Sequence, residues 1–272
     1  MANLVDDCLL IIFTDLQEDF ASLYSCITVS RAWCRIALPI LWKSFSRENN
    51  TRDYKIDSRK KLYNIITHFL PKQKKDLLLQ NNIILPLHPF GKDFSVDYMS
   101  LFTHIMPGWI EDMVQLSISN DNPESEYKRN MLEEGIYDLI IKKCNSVKYF
   151  YWTTDQPIYK CPNAGIFFSG LSFLRISFKF ITSVTLFGLA QICRNIINLE
   201  AVNCHEDTAG LICFINMQRN LRTLYIHFDN TEEEQSTMLS EVVNEVIRAR
   251  IRISNSAFIN FESNFFHYFS PQ

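Results

Sequence analysis

Leu171-Ser172-Phe173-Leu174-Arg175-Ile176, Ile196-Ile197-Asn198-Leu199-Glu200-Ala201 and Leu221-Arg222-Thr223-Leu224-Tyr225-Ile226 share one pattern. An apolar residue is followed by two variable positions, an apolar residue, one variable position and a last apolar residue. The alternation at the end of each stretch is that of a strand with one buried face. Met113-Val114-Gln115-Leu116-Ser117-Ile118 and Cys144-Asn145-Ser146-Val147-Lys148-Tyr149 read the same way, and Ile251-Arg252-Ile253 is a weaker sixth instance. The central residues 116, 147, 174, 199, 224 and 251 are separated by 31, 27, 25, 25 and 27 positions.

The segments between these stretches carry helical stripes. Leu132, Ile136, Leu139 and Ile140 share one face, and Lys142 and Lys143 close that helix where its dipole favours cations. Leu186, Leu189, Ala190 and Cys193 repeat the spacing, as do Leu211, Phe214 and Ile215, and Leu239, Val242, Val243 and Val246. Strand–loop–helix units of near-constant length stack into a solenoid, because no single unit can bury its apolar face alone. A period of about 20–29 residues is that of leucine-rich repeats. The expected fold class is therefore α/β, with an irregular leucine-rich-repeat solenoid over residues 113–272. Such repeats usually place Asn or Cys three positions after the last strand leucine. Cys204 stands there in one repeat, but Lys179 and Asp229 stand there in its neighbours, so a distorted array is expected. The leucines point inward, and the alternating residues Phe150, Arg175, Glu200, Tyr225 and His227 are the candidate target-binding face. The tail, with Phe258, Phe261, Phe265, Phe266, Tyr268 and Phe269, lacks the polar face of a terminal cap. It either folds over the open end or belongs to an array longer than this chain.

Residues 46–112 read as a helical adaptor region. Positions 46–61 are polar and suit a linker. Leu62, Ile65, Ile66, Phe69 and Leu70 form a helix ended by Pro71. Leu77-Leu78-Leu79 form another, ended by Asn81-Asn82, and Pro86, Pro89 and Gly91 mark an irregular crossing.

At the N-terminus, Leu9, Ile12, Phe13 and Leu16 lie on one helical face, with Asp6 or Asp7 as N-cap. Cys8, Leu10 and Ile11 are apolar as well and leave no polar stripe, so this helix needs burial on most sides. Phe20, Leu23, Tyr24 and Ile27 repeat the spacing. Ser30 caps a third helix bearing Trp33, Ile36 and Ala37, which Pro39 should end near Ala37. Three such helices have more apolar surface than they can hide among themselves. The combination of Leu4, Cys8-Leu9-Leu10-Ile11-Ile12-Phe13, Leu16, Leu23, Cys26, Val29-Ser30-Arg31, Trp33-Cys34 and Pro39-Ile40-Leu41-Trp42 resembles the F-box. It is most similar to a large fungal group of F-box proteins with leucine-rich repeats. The resemblance covers roughly residues 3–45. One departure is Val5, where most F-boxes have proline.

The resemblance implies a three-helix F-box over residues 1–45 that docks on a Skp-type adaptor and, through it, on a cullin scaffold. The implied adaptor-binding residues are Leu4, Leu9, Ile12, Phe13, Leu16, Leu23, Ile27 and Val29. The implied function is that of a non-catalytic substrate receptor of a Skp–cullin–F-box ubiquitin ligase. The alternative is a repeat scaffold outside any ligase, whose F-box-like helices pack internally.

Composition bounds these readings. Net charge is −3, and the 27 Lys+Arg and 30 Asp+Glu are interspersed, so no basic surface for nucleic acid is expected. No apolar run reaches the roughly 18 residues a membrane span needs, and Asp6-Asp7 rather than basic residues precede the N-terminal apolar run. The expectation is a cytosolic or nuclear protein. The eight cysteines form no CxxC pair and read as buried thiols rather than disulfides or zinc ligands. There is no HExxH, GxGxxG or GxSxG, and His205-Glu206-Asp207 reads as a helix-capping stretch. No catalytic residue, metal or cofactor is expected.

Overall fold

The computed structural model describes residues 6–47, 56–85, 96–118, 125–204, 209–228 and 258–260. They fall into two compact units, Met1–Ile136 and Tyr137–Gln272. The chain is α/β: the first unit is mainly helical, and the second alternates helices with a parallel sheet.

In the first unit, α1 (Asp6–Asp15), α2 (Phe20–Val29) and α3 (Arg31–Arg47) enclose Leu9, Phe13, Leu23 and Ala37. Half-buried Leu16, Cys26, Ile27, Trp33, Ile36, Ile40 and Leu41 surround that core, and Phe13 meets Trp33 edge-to-face at 5.2 Å. The chain reversals are set by capping. The Asp19 carboxylate accepts from the Ser22 N–H and hydroxyl at the start of α2. The Ser30 hydroxyl accepts from the Trp33 N–H at the start of α3, as its sequence position predicts.

Pro39 does not end the third helix, which runs on to Arg47. Its ring lies on the solvent side, while Ala37 and Leu38 beside it are buried and Ile40, Leu41 and Trp42 are half-buried. Breaking the helix there would expose several of these side chains, each worth about 1.5–3 kcal/mol when fully buried, against about 3 kcal/mol for an interior proline. Trp42 then packs on Tyr98 and Phe102 at 5.1 and 5.6 Å.

The rest of this unit comprises α4 (Ile56–Phe69), α5 (Lys72–Gln80), a short 3₁₀ turn at Tyr98–Leu101, the two-residue strand β1 (His104–Ile105), α6 (Pro107–Ser117) and the start of α7 (Ser125–Lys143), within which the unit boundary falls. Pro71 and Asn81-Asn82 terminate α4 and α5 as expected, with Asn82 in the left-handed region (φ 56°). Residues 56–61, read as linker, are helical. The Tyr63 hydroxyl donates to the Asp112 carboxylate in the interior.

The stretch 113–118, read as the first repeat strand, is instead the C-terminal half of α6. Pro107 at the first helical position presets φ, and Trp109, Ile110, Met113 and Val114 bury the face that a 3.6-residue period selects. A six-residue window cannot separate that stripe from strand alternation.

In the second unit, β2 (Tyr149–Trp152), β3 (Phe173–Ser177), β4 (Asn198–Cys204), β5 (Thr223–Phe228) and β6 (Phe258–Asn260) lie side by side in chain order, all parallel. The crossovers contain α8 (Ala164–Ser169), α9 (Ser183–Ile192) and α10 (Ala209–Met217). Phe150, Leu174, Leu199 and Leu224 stand in one register row, 24, 25 and 25 residues apart, and all are buried. Trp152, Ile176, Ala201 and Ile226 form a second buried row. Leu186, Leu189, Ala190, Leu211, Phe214 and Ile215 are buried on the helices, as their stripes predict. Gln218, buried, donates to the carbonyls of Cys193 and Phe214 and accepts from the Ile196 N–H, satisfying three loop groups at once.

The strand motif read at 144–149 lies three residues out of register with β2, where Phe150 and not Val147 pairs with Leu174. Cys144 still donates to the Ile140 carbonyl, prolonging α7, and Asn145-Ser146 make the turn, so β2 starts only at Tyr149. Phe150 therefore takes the place of the inward leucine. The stretches 239–246 and 251–253 lie outside the described residues; the next strand that is described begins at Phe258.

Candidate protein-interaction surfaces

The eight residues assigned to adaptor docking divide into groups. Leu9, Phe13 and Leu23 are enclosed by the three helices themselves, with Phe13 only 1% exposed, so they are core rather than contact positions. Leu16 and Ile27 are half-buried against that core. Ile12 and Val29 are exposed. Leu4 lies outside the described residues.

The apolar excess noted in the sequence is nevertheless real. Leu10, Ile11 and Ile12 are all exposed on α1, Ile11 at 64%, and Tyr24 (63%) and Val29 (61%) are exposed on α2. With Leu9 and Phe13 turned inward, the rest of α1 has only Asp6, Asp7, Cys8, Thr14 and Asp15 to accompany these three in solvent. Leu10, Ile11 and Tyr24 were missed as site residues. The signal was present: α1 has no polar stripe, so whichever face packs internally, another apolar face remains. Of the i, i+3, i+4, i+7 set, Leu9, Phe13 and Leu16 mark the internal face, while Ile12 belongs to the surplus one.

On the second unit, register brings the other predicted face together in part. Tyr151, Arg175, Glu200 and Tyr225 are cross-strand partners, and all are partly exposed. One Arg175 guanidinium nitrogen lies 3.4 Å from the Glu200 carboxylate, and the guanidinium sits 5.8 Å from the centre of the Tyr151 ring. His227 Nε2 is 3.8 Å from the same Glu200 oxygen. Burial, and then the Glu200 carboxylate, push the Tyr151 hydroxyl's pKa up, while Arg175 acts in the opposite direction. Phe150 does not belong to this face. It is fully buried behind the sheet against Phe167 and Phe168, for the register reason given above.

The missed members are Tyr149, Tyr151 and Phe173. Their rings lie 5.7 and 5.3 Å from one another in a tilted, side-by-side array. Correct placement of β2 would have exposed Tyr149 and Tyr151 to the same reasoning, whereas Phe173 was already legible as the residue two before Arg175 on β3. The face thus clusters aromatic rings over β2 and β3, beside Arg175, and carries Glu200, Tyr225 and His227 over β4 and β5.

Among the described residues no three His, Cys, Asp or Glu side chains are grouped as metal ligands would be, and no helix is long and apolar enough to cross a membrane. No family model, curated protein or solved structure matches this chain.

Proposed function

We propose that this chain is a substrate receptor of a Skp–cullin–F-box ubiquitin ligase, with the N-terminal helices as its F-box and the strand–helix repeats as an irregular leucine-rich-repeat array that holds the target. The observation that carries the reading is the exposed apolar surface of α1 and α2, with Leu10, Ile11, Ile12, Tyr24 and Val29 in solvent. A helix that has already packed one face and still exposes three consecutive large aliphatic residues finishes its burial on a second molecule. The F-box resemblance names the adaptor as that molecule. Support for the second role comes from the open sheet face, where Tyr149, Tyr151, Phe173, Arg175 and Tyr225 are of the types that dominate binding hot spots. Such a receptor works by holding its target near the transferring enzyme, which raises effective concentration and needs no bond chemistry of its own.

Capture of a recombinant Skp-type adaptor by the full chain tests the reading. The wild type and Glu200→Gln should retain it, and Ile11→Asp with Ile12→Asp should lose it while the circular dichroism spectrum is unchanged. Absence of capture by the wild type, or equal capture by the double variant, overturns the proposal. The competing reading is a repeat scaffold whose first three helices serve only its own packing. It draws on the enclosure of Leu9, Phe13 and Leu23 and on Val5 in place of proline, and the same experiment decides between the two.

A further inference from the structure

In a parallel sheet with helical crossovers, every helix-to-strand loop reaches the same edge. Among the described residues of the second unit these loops are 144–148, 170–172, 193–197 and 218–222, and adjacent ones are bonded to each other. Lys148 Nζ donates to the Gly170 carbonyl at 2.9 Å, Asn195 Nδ2 to Ser169 at 3.2 Å, and the Arg219 N–H to Arg194 at 3.0 Å. The result is a continuous ledge along the N-terminal ends of β2 to β5.

The ledge carries Lys148, Arg194, Arg219 and Arg222, and Lys142 and Lys143 end the helix that leads into it. Lys142, Lys148, Arg219 and Arg222 are exposed. None of these loops contains Asp or Glu. The carboxylate nearest to these loops along the chain is Glu200, three residues after Ile197, and it lies 3.4 Å from an Arg175 guanidinium nitrogen; Asp138, one helical turn before Lys142, accepts from Cys161 Sγ. Lysines and arginines after a helix complement its dipole, which accounts for Lys142 and Lys143. Lys148, directly before β2, serves the C-terminus of α8 through its bond to Gly170, but neither reason accounts for Arg222, directly before β5. Arg194 also has a buried Nε with no hydrogen-bond partner. This segregation occurs in a chain whose net charge is −3.

We infer that this basic ledge docks a short acidic stretch of a partner protein, a run of carboxylates lying across the strand ends. Length argues for this occupant. Three inter-strand steps of about 4.8 Å give a track of roughly 14 Å, the reach of four or five residues of extended peptide. A nucleic acid is longer than the track, and its phosphates would continue over a chain that is acidic overall. The ledge lies at the edge of the sheet face assigned to the target, so the inference rests on the receptor reading and adds acidity to what the target must present.

The probe is a fluorescein-labelled peptide of six alternating Asp and Glu, titrated with the full chain and followed by anisotropy. Binding should weaken with rising salt, and about tenfold in Arg219→Glu with Arg222→Glu. The control pair Lys60→Glu with Lys72→Glu makes the same change in net charge at exposed positions of the first unit, and should change the affinity less than about twofold. No binding by the wild type, equal loss in both pairs, or tighter binding of a labelled single-stranded oligonucleotide than of the peptide would each overturn the inference. Adaptor capture by the Arg219→Glu, Arg222→Glu variant separates the two ideas. If it persists while peptide binding is absent even in the wild type, only the ledge assignment fails.

Discussion

Gly210 begins the contact between α9 and α10: its N–H donates to the Ser183 hydroxyl at 2.9 Å, and a Cβ there would sit 2.5 Å from the Ser183 Cα. An alanine in a helix ordinarily gains up to about 1 kcal/mol over glycine. Here the obstructing atom is backbone, so the helices must part, and Gly210→Ala should destabilise the chain by about 1–3 kcal/mol in urea denaturation. A stabilised variant would mean that the two helices are not held this closely. Gln218 makes the complementary case. Gln218→Leu keeps the volume but orphans the Cys193 and Phe214 carbonyls and the Ile196 N–H where water cannot reach, at about 1–3 kcal/mol for each group left unpaired. A loss below about 0.5 kcal/mol would show that the loops find other partners. Neither residue was legible beforehand. Both act through what a different repeat places beside them.

At the scale of elements, α1 separates burial from surplus in two adjacent residues. Phe13→Ala should cost about 3–5 kcal/mol by emptying the three-helix core, whereas Ile12→Asp, at an exposed position, should leave the thermal midpoint nearly unchanged and act on adaptor capture alone. Equal destabilisation by both would show that Ile12 is enclosed. Periodicity identified the helices α4, α5, α7, α9 and α10 and the strands β3, β4 and β5, because each is long or flanked by turn residues that admit one reading. It erred at α6, where a short apolar run fits both periods, and at β2, where the end of α7 absorbed the first residues of the motif. It also erred at Pro39, because proline's local cost was weighed without the side chains whose burial opposes it.

At the scale of the whole molecule, alkaline pH acts on both units. Burial pushes the Cys193 thiol up to about 12, against an ordinary value of 9.0, and raises the Tyr151 and Tyr98 hydroxyls as well. A group whose folded pKa is raised lends stability that is complete below its unfolded value and is lost as pH climbs toward the folded one. Stability should therefore decline from about pH 9 upward, Cys193 alone contributing a slope of up to about 1.4 kcal/mol per pH unit until about pH 12. Lys75 has the opposite sign, since burial lowers its pKa and its penalty is relieved as pH rises. Comparing the pH dependence of urea midpoints for wild type and Cys193→Ala isolates the thiol: the variant should lose most of the decline, and an unchanged slope would place the thiol in contact with water.

Pattern and spacing were enough to establish alternating strands and helices, a repeat of about 25 residues, a helical N-terminus richer in apolar surface than it can bury, and the identity of most inward-facing leucines. These properties are periodic and local, and a linear chain displays them directly. Folding decided which apolar face of α1 turns inward, that Phe150 rather than Val147 joins the leucine row, that Tyr149, Tyr151 and Phe173 share a surface, and that cations from three loops line one edge. Each of these depends on which residues, dozens of positions apart, come into register, and that is set by side-chain burial summed over the unit rather than by any single stretch.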